Sequence, residues 1–179
     1  MKRNMIIALV VIMSIAGSSL LGQATDNAQI NAIVKAALSV ALDNNVEFGN
    51  ISATSSPYVD PTGAADVDAG ATAAAGEFTI TGQSAADVNI TLGAATTNLG
   101  DGTSALMEFT ADLKENVTTQ GSAIAISNPV TLGGATHKLW LGGTLRQVGG
   151  AALSSQTAGT YASDAANGGG NIVVNVIYN

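Results

Sequence analysis

The chain has no cysteine. Its fold therefore holds without disulfides, on its core or its assembly alone, and the cysteine-dependent bacterial lipoprotein route is closed. It has one histidine, His137, beside Lys138 at an expected turn-to-strand junction; with no cysteine or second histidine to join it in a metal or catalytic cluster, it reads as an exposed surface residue. No serine stands in a G-x-S-x-G setting, so a hydrolase triad has no support. Basic residues are few: 6 Lys and Arg against 13 Asp and Glu give a formal net charge of −7. Such a balance excludes electrostatic binding to nucleic acid or to an anionic membrane surface. Charged residues of both signs make up only 11% of the chain. A free soluble monomer normally keeps a well-charged surface, so the scarcity suits a subunit that shares its surface with neighbours.

Long apolar runs are also missing, apart from one. Lys2 and Arg3 precede an apolar stretch over residues 5–15, followed by small and polar residues with Gly22 and Ala24 placed for cleavage. The pattern predicts a signal peptide over residues 1–24, and the stretch is shorter than the ~20 residues a spanning helix needs. The expected mature chain begins at Thr25 and is exported to the cell surface or medium.

What the chain has in abundance is Gly, Ala, Ser, Thr and Asn around short β-branched runs. Strands are expected at 46–51, 77–81, 88–92, 105–110, 123–126, 130–132, 138–148 with a kink at Gly142-Gly143, 159–162 and 172–178. Gly-rich turns separate them, with no helical run between. Many short strands at regular spacing predict an all-β fold, a sandwich of antiparallel, Greek-key-like sheets.

Residues 28–42 fit two periods. As a strand, Ala28, Ile30, Ala32, Val34, Ala36, Leu38, Val40 and Leu42 form one apolar row. As a helix, Ile30, Ile33, Val34, Ala37, Leu38 and Ala41 form a stripe. A strand of that length would reach about 50 Å, more than one small sandwich accommodates. Part of it would extend beyond its own subunit.

Other candidates have two readings each. Asp60, Asp66 and Asp68 around Gly63 and Gly70 offer oxygen ligands for Ca²⁺, or form a solvated acidic loop. Trp140 is a binding platform, or a core or interface residue. Phe48, Phe78 and Phe109 read as core, and Tyr58, next to Pro57, as an exposed loop residue. Asn50, Asn89 and Asn116 open N-x-[ST] triplets, which a chain of this composition produces by chance.

Five segments occur in an order that resembles a bacterial surface-protein family: LSVALDNNVEFGNI at 38–51, GEFTITGQ at 76–83, LWLGGTL at 139–145, AGTY at 158–161 and VVNVIY at 173–178. That family is similar to the spore coat protein U domain and the chaperone–usher pilins. The resemblance implies an incomplete immunoglobulin-like sandwich, completed by the N-terminal extension of the next subunit. It also implies a periplasmic chaperone and an outer-membrane assembly protein as partners. The terminal row Ile172, Val174, Val176 and Tyr178 matches the pilin pattern of alternating apolar residues with a penultimate aromatic.

The expectation is a fibre subunit without enzymatic activity or cofactor, polymerising with itself by strand addition. Residues 25–42 would be the extension and 43–179 the domain. Ile30, Ala32, Val34, Ala36 and Leu38 are the expected donor knobs. Val174, Val176, Tyr178, Phe78 and Leu145 are the expected lining of the acceptor groove. The alternative is a monomeric secreted binding module, for instance for surface glycan, with its N-terminal strand folded into its own sandwich.

Overall fold

The computed structural model describes residues 32–103, 106–154, 156 and 158–179. The expected signal peptide and Ile30 lie outside them. The chain divides into Met1–Val34 and Lys35–Asn179, and the fold described below is that of the second unit. It is an all-β, antiparallel architecture, with no α-helix among the described residues.

The strands are β1 Ser39–Asn44, β2 Tyr58–Val59, β3 Gly76–Thr81, β4 Asp87–Leu92, β5 Thr96–Gly100, β6 Leu106–Asn116, β7 Ile124–Ala125, β8 Val130–Thr131, β9 Thr136–Gln147 and β10 Val174–Tyr178. One sheet runs β1-β3-β9-β6-β5, with β2 added to β9 and β7 added to β6. The second sheet runs β10-β4-β8. The large sheet is organised by β6 and β9, which pair from Met107↔Gln147 through Asn116↔Lys138. At Gly142-Gly143, where a kink was expected, both glycines stay in that register as Asp112↔Gly142 and Ala111↔Gly143, while the other edge of β9 passes from β3 to β2. Their role is close approach. A Cβ on Gly142 would lie 2.2 Å from the Val59 carbonyl oxygen, and one on Gly143 2.1 Å from that of Thr110.

Period-2 alternation places the core. Val88 and Ile90 of β4 are buried, whereas Asp87 and Thr91 are exposed. They meet Ile80, Leu139, Val130 and Leu132, so both sheets contribute to one cluster. Burying each such side chain contributes roughly 1.5–3 kcal/mol. A second cluster, Met107, Phe109, Leu141, Leu145 and Leu153, rests on the other half of the large sheet. The small sheet does not reach it. Loop residues Phe48, Ile51, Tyr161 and Ile172 cover it instead.

Several local expectations are corrected. Residues 46–51 form no strand, only the bridge Glu47↔Ala74; Gly49 has φ +65°, which breaks an extended run. Residues 159–162 likewise keep only the bridge Gly100↔Ala162. The polar β5 carries no apolar alternation and was not expected. Residues 35–38 are neither helix nor strand, and β1 begins only at Ser39, so the boundary expected at residue 42 falls inside a strand.

His137 is not exposed. It lies in β9 at 2% relative exposure, on the same face as Leu139, with Nε2 2.6 Å from Glu115 Oε2. Nor is Tyr58 an exposed loop residue. It is half-buried in β2, and its hydroxyl donates to Asp112 Oδ2 at 3.0 Å. Burial, then the Asp112 bond and the charges of Asp112, Asp60 and Asp66, push the phenol up to about 12 from its usual 10. The neutral phenol is the favoured form. Its contribution to stability is therefore complete below about pH 10 and is lost as pH rises through about 12. Absorbance titration at 295 nm should show a late-ionising tyrosine step. Tyr58→Phe should remove that late step; its persistence would contradict the assignment.

A candidate strand-acceptor groove

β1 and β10 are the outermost strands of the two sheets on one side of the domain. Among the described residues β1 pairs only with β3, and β10 only with β4. Each leaves a row of backbone groups without a ladder partner along the gap between them.

On the outer face, β1 is tied down by charge. Lys138 Nζ lies 3.0 Å from Asp43 Oδ2 and 2.6 Å from Glu77 Oε1. The Thr79 hydroxyl also donates to Asp43. The Thr79 bond and then Lys138 hold the Asp43 carboxyl below its usual range, and Glu77 and then Asp43 raise the Lys138 ammonium. On the inner face, Leu38 and Val40 pack against the first core cluster, as do Val174, Val176 and Tyr178 from across the gap.

The gap is closed at this end by Tyr178. Its hydroxyl accepts from the Gln83 amide at 2.7 Å and donates to the Ala36 carbonyl at 2.9 Å. Lys35 Nζ stands 4.7 Å from the centre of the Tyr178 ring and donates to the Asn179 carbonyl at 3.2 Å. Gly82 makes the room: a Cβ there would lie 2.9 Å from the Tyr178 hydroxyl and 3.0 Å from Leu38 Cδ1.

At the other end of β1 lies a hollow. Leu42 stands on the same face as Val40, yet is 56% exposed. Beyond it the chain continues irregularly through Val46 and Phe48, while residues 160–172 run along the opposite side. Between them lies a cavity of about 510 Å³ over Phe78, Phe109, Leu141 and Leu99. A second cavity of about 580 Å³ over Met107 and Leu145 shares Val46, Phe48, Leu99 and Tyr161 with the first. Phe48 meets Phe109 edge to face, with ring centres 5.9 Å apart. The groove thus has an apolar floor supplied by β3, β5, β6 and β9, and irregular walls.

The sequence-predicted groove residues divide. Phe78 and Leu145 line the cavities. Val174, Val176 and Tyr178 pack on the first core cluster and line neither cavity. Of the expected donor knobs, Ala32 and Val34 are exposed, Ala36 is exposed with its carbonyl bound by Tyr178, and Leu38 packs on its own domain's core. Leu42, Phe48 and Tyr161 are groove residues that sequence reasoning missed. Leu42 had a signal, as the last member of the apolar row 28–42.

Elsewhere the chemistry is sparse. The side chains of Asp60 and Asp66 are engaged locally: Asp60 accepts from the Thr62 amide at 2.8 Å and hydroxyl at 2.7 Å, and Asp66 from the Asp60 amide at 2.8 Å. Among the described residues no three His, Asp or Glu side chains are grouped to hold a metal ion. Trp140 is 4% exposed, at the bottom of a polar cleft on the outer face of the large sheet. No family model, curated protein or solved structure matches the chain.

Proposed function

We propose that this protein is a structural subunit of an extracellular fibre, an immunoglobulin-like, pilin-like sandwich with one flank left open. The flank is filled by the N-terminal segment of the next copy. The observation that carries the reading is the apolar trough between the end of β1 and residues 160–172, beside the outer edges of β1 and β10, where Leu42 stands 56% exposed above Phe78, Phe109 and Leu141. An edge of unpaired amides and carbonyls beside an apolar trough is the arrangement that strand addition uses. Main-chain bonds supply affinity, and alternate side chains fill the pockets.

The proposed occupant is residues 25–34 of a second copy, which span about 33 Å when extended. Ile30, Ala32 and Val34 would point into the trough. Leu38, which serves its own domain's core, is not part of the joint. A donor from another copy is favoured over the chain's own extension because that extension joins the domain at the clasped end of the gap, at Lys35 and Ala36. The open cavities lie at the other end of β1. The scarcity of surface charge agrees with a subunit largely covered by neighbours. A signal peptide for export and the assembly partners named for the resembling family complete the reading.

Size-exclusion chromatography with light scattering on the mature chain tests it. A concentration-dependent ladder of oligomers, or filaments by electron microscopy, is the expected result. A sharp monomer at all concentrations would favour the secreted binding-module reading instead.

A further inference from the structure

The Tyr178 contacts have a consequence for how a strand enters the groove. The hydroxyl of Tyr178, from β10 of the small sheet, reaches the large sheet at two points: it accepts from the amide of Gln83, just beyond β3, at 2.7 Å and donates to the carbonyl of Ala36, just before β1, at 2.9 Å. Lys35 closes over the ring at 4.7 Å and bonds the Asn179 carbonyl at 3.2 Å. Gly82, itself buried, leaves the space these groups occupy. The start of the first strand and the end of the last are therefore fastened together.

We infer that Tyr178 and Lys35 form an autoinhibitory clasp on the strand-acceptor groove, which must open before an incoming strand can pair along the full length of β1 and β10. The inference rests on the strand-addition reading. The reason is geometric. Neighbouring strands stand about 4.8 Å apart, so a guest hydrogen-bonded to both edges needs them roughly 9.6 Å apart, with nothing between. In the clasped state the Tyr178 side chain occupies that space and its hydroxyl takes the Ala36 carbonyl. The open half of the groove can receive a strand first, and the clasped half follows only when the hydroxyl lets go. A clasp made of three hydrogen bonds and one cation–π contact is weak enough to open on assembly and strong enough to slow it.

Tyr178→Phe in the full mature chain tests this. It keeps the ring that packs on the core and removes the bridging hydroxyl. Lys35→Gln is the second variant. Lys35 is exposed, so its loss does not endanger folding. Both variants should assemble faster than the parent, by about fivefold for the loss of one such interaction. In Tyr178→Phe the Gln83 amide should also exchange with deuterium faster in the monomer. A residue with a merely structural role would leave assembly unchanged or slow it, and either outcome would overturn the clasp. A parent chain that never assembles overturns the fibre reading and this inference together. A parent that assembles while neither variant is faster overturns the clasp alone.

Discussion

Val34→Asp should abolish polymerisation while leaving the folded domain intact. Val34 belongs to the proposed donor row with Ile30 and Ala32, so the substitution would place a carboxylate in the apolar trough over Phe78, Phe109 and Leu141. An uncompensated buried charge weakens such a joint by several kcal/mol, on the order of a thousandfold or more in affinity. Val34 is exposed in the subunit itself, so the monomer should keep its thermal midpoint. Ile33→Asp is the control, because neighbours in an extended strand point to opposite faces. It should be mild in a donor strand and as severe as Val34→Asp in a donor helix. Assembly yield by sedimentation reads both. Equal, large losses would remove the strand form of the donor.

The second large effect concerns the domain's own frame. Gly143→Val should unfold the protein or cost roughly 3–5 kcal/mol, combining overpacking with backbone strain. The position has φ +150°, and an added Cβ would approach the Thr110 carbonyl oxygen at 2.1 Å and the Phe109 ring at 2.7 Å. Thr110 and Phe109 sit in β6, paired with β9 at the centre of the large sheet, so the clash cannot be relieved by moving a loop. Gly121→Ala provides the comparison. Nothing lies within 4 Å of its added Cβ, and urea denaturation should place it within about 0.5 kcal/mol of the parent. A Gly143→Val chain of parental stability would contradict the close approach of β6 and β9 described above.

The strands that carry the domain were legible because they alternate. In β3, β4 and β10 β-branched and aromatic residues recur every second position, in β9 Leu139, Leu141 and Leu145 keep one parity, and each strand forms close to where the pattern places it. The same rule held the answer for His137, two residues from Leu139 and so on the same inward face. Its polarity led to a surface expectation, but a carboxylate at Glu115 meets it inside. Where the chain departs from alternation, the sequence misled in both directions. VEFGNI has the composition of a strand, yet Gly49 at φ +65° bends it into a loop. TTNLG has little strand character, yet β6 pairs with it from Thr96↔Thr110 to Gly100↔Leu106. Tyr58 looked exposed beside Pro57, but β2 takes over the edge of β9 where β3 ends.

The groove was legible only in part, for a physical reason. Phe78 and Leu145 lie on regular strands, so their inward direction follows from parity. The walls, Phe48, Tyr161 and Ile172, lie in irregular segments where no period fixes direction. The closure of one end by Tyr178 depends on contacts between residues 142 positions apart, which no local pattern contains. The ambiguity over residues 28–42 resolves in part: 39–44 is a strand paired with β3, and 35–38 is not helical.

The most direct test of the central claim is deuterium exchange of the backbone amides in 39–44 and 174–178, compared between monomer and assembled material. Strand addition predicts that the gap-facing amides of both segments exchange quickly in the monomer and become strongly protected together on assembly. Assembled material in which those amides exchange as fast as in the monomer would contradict it, since the subunits would then be joined through some other surface.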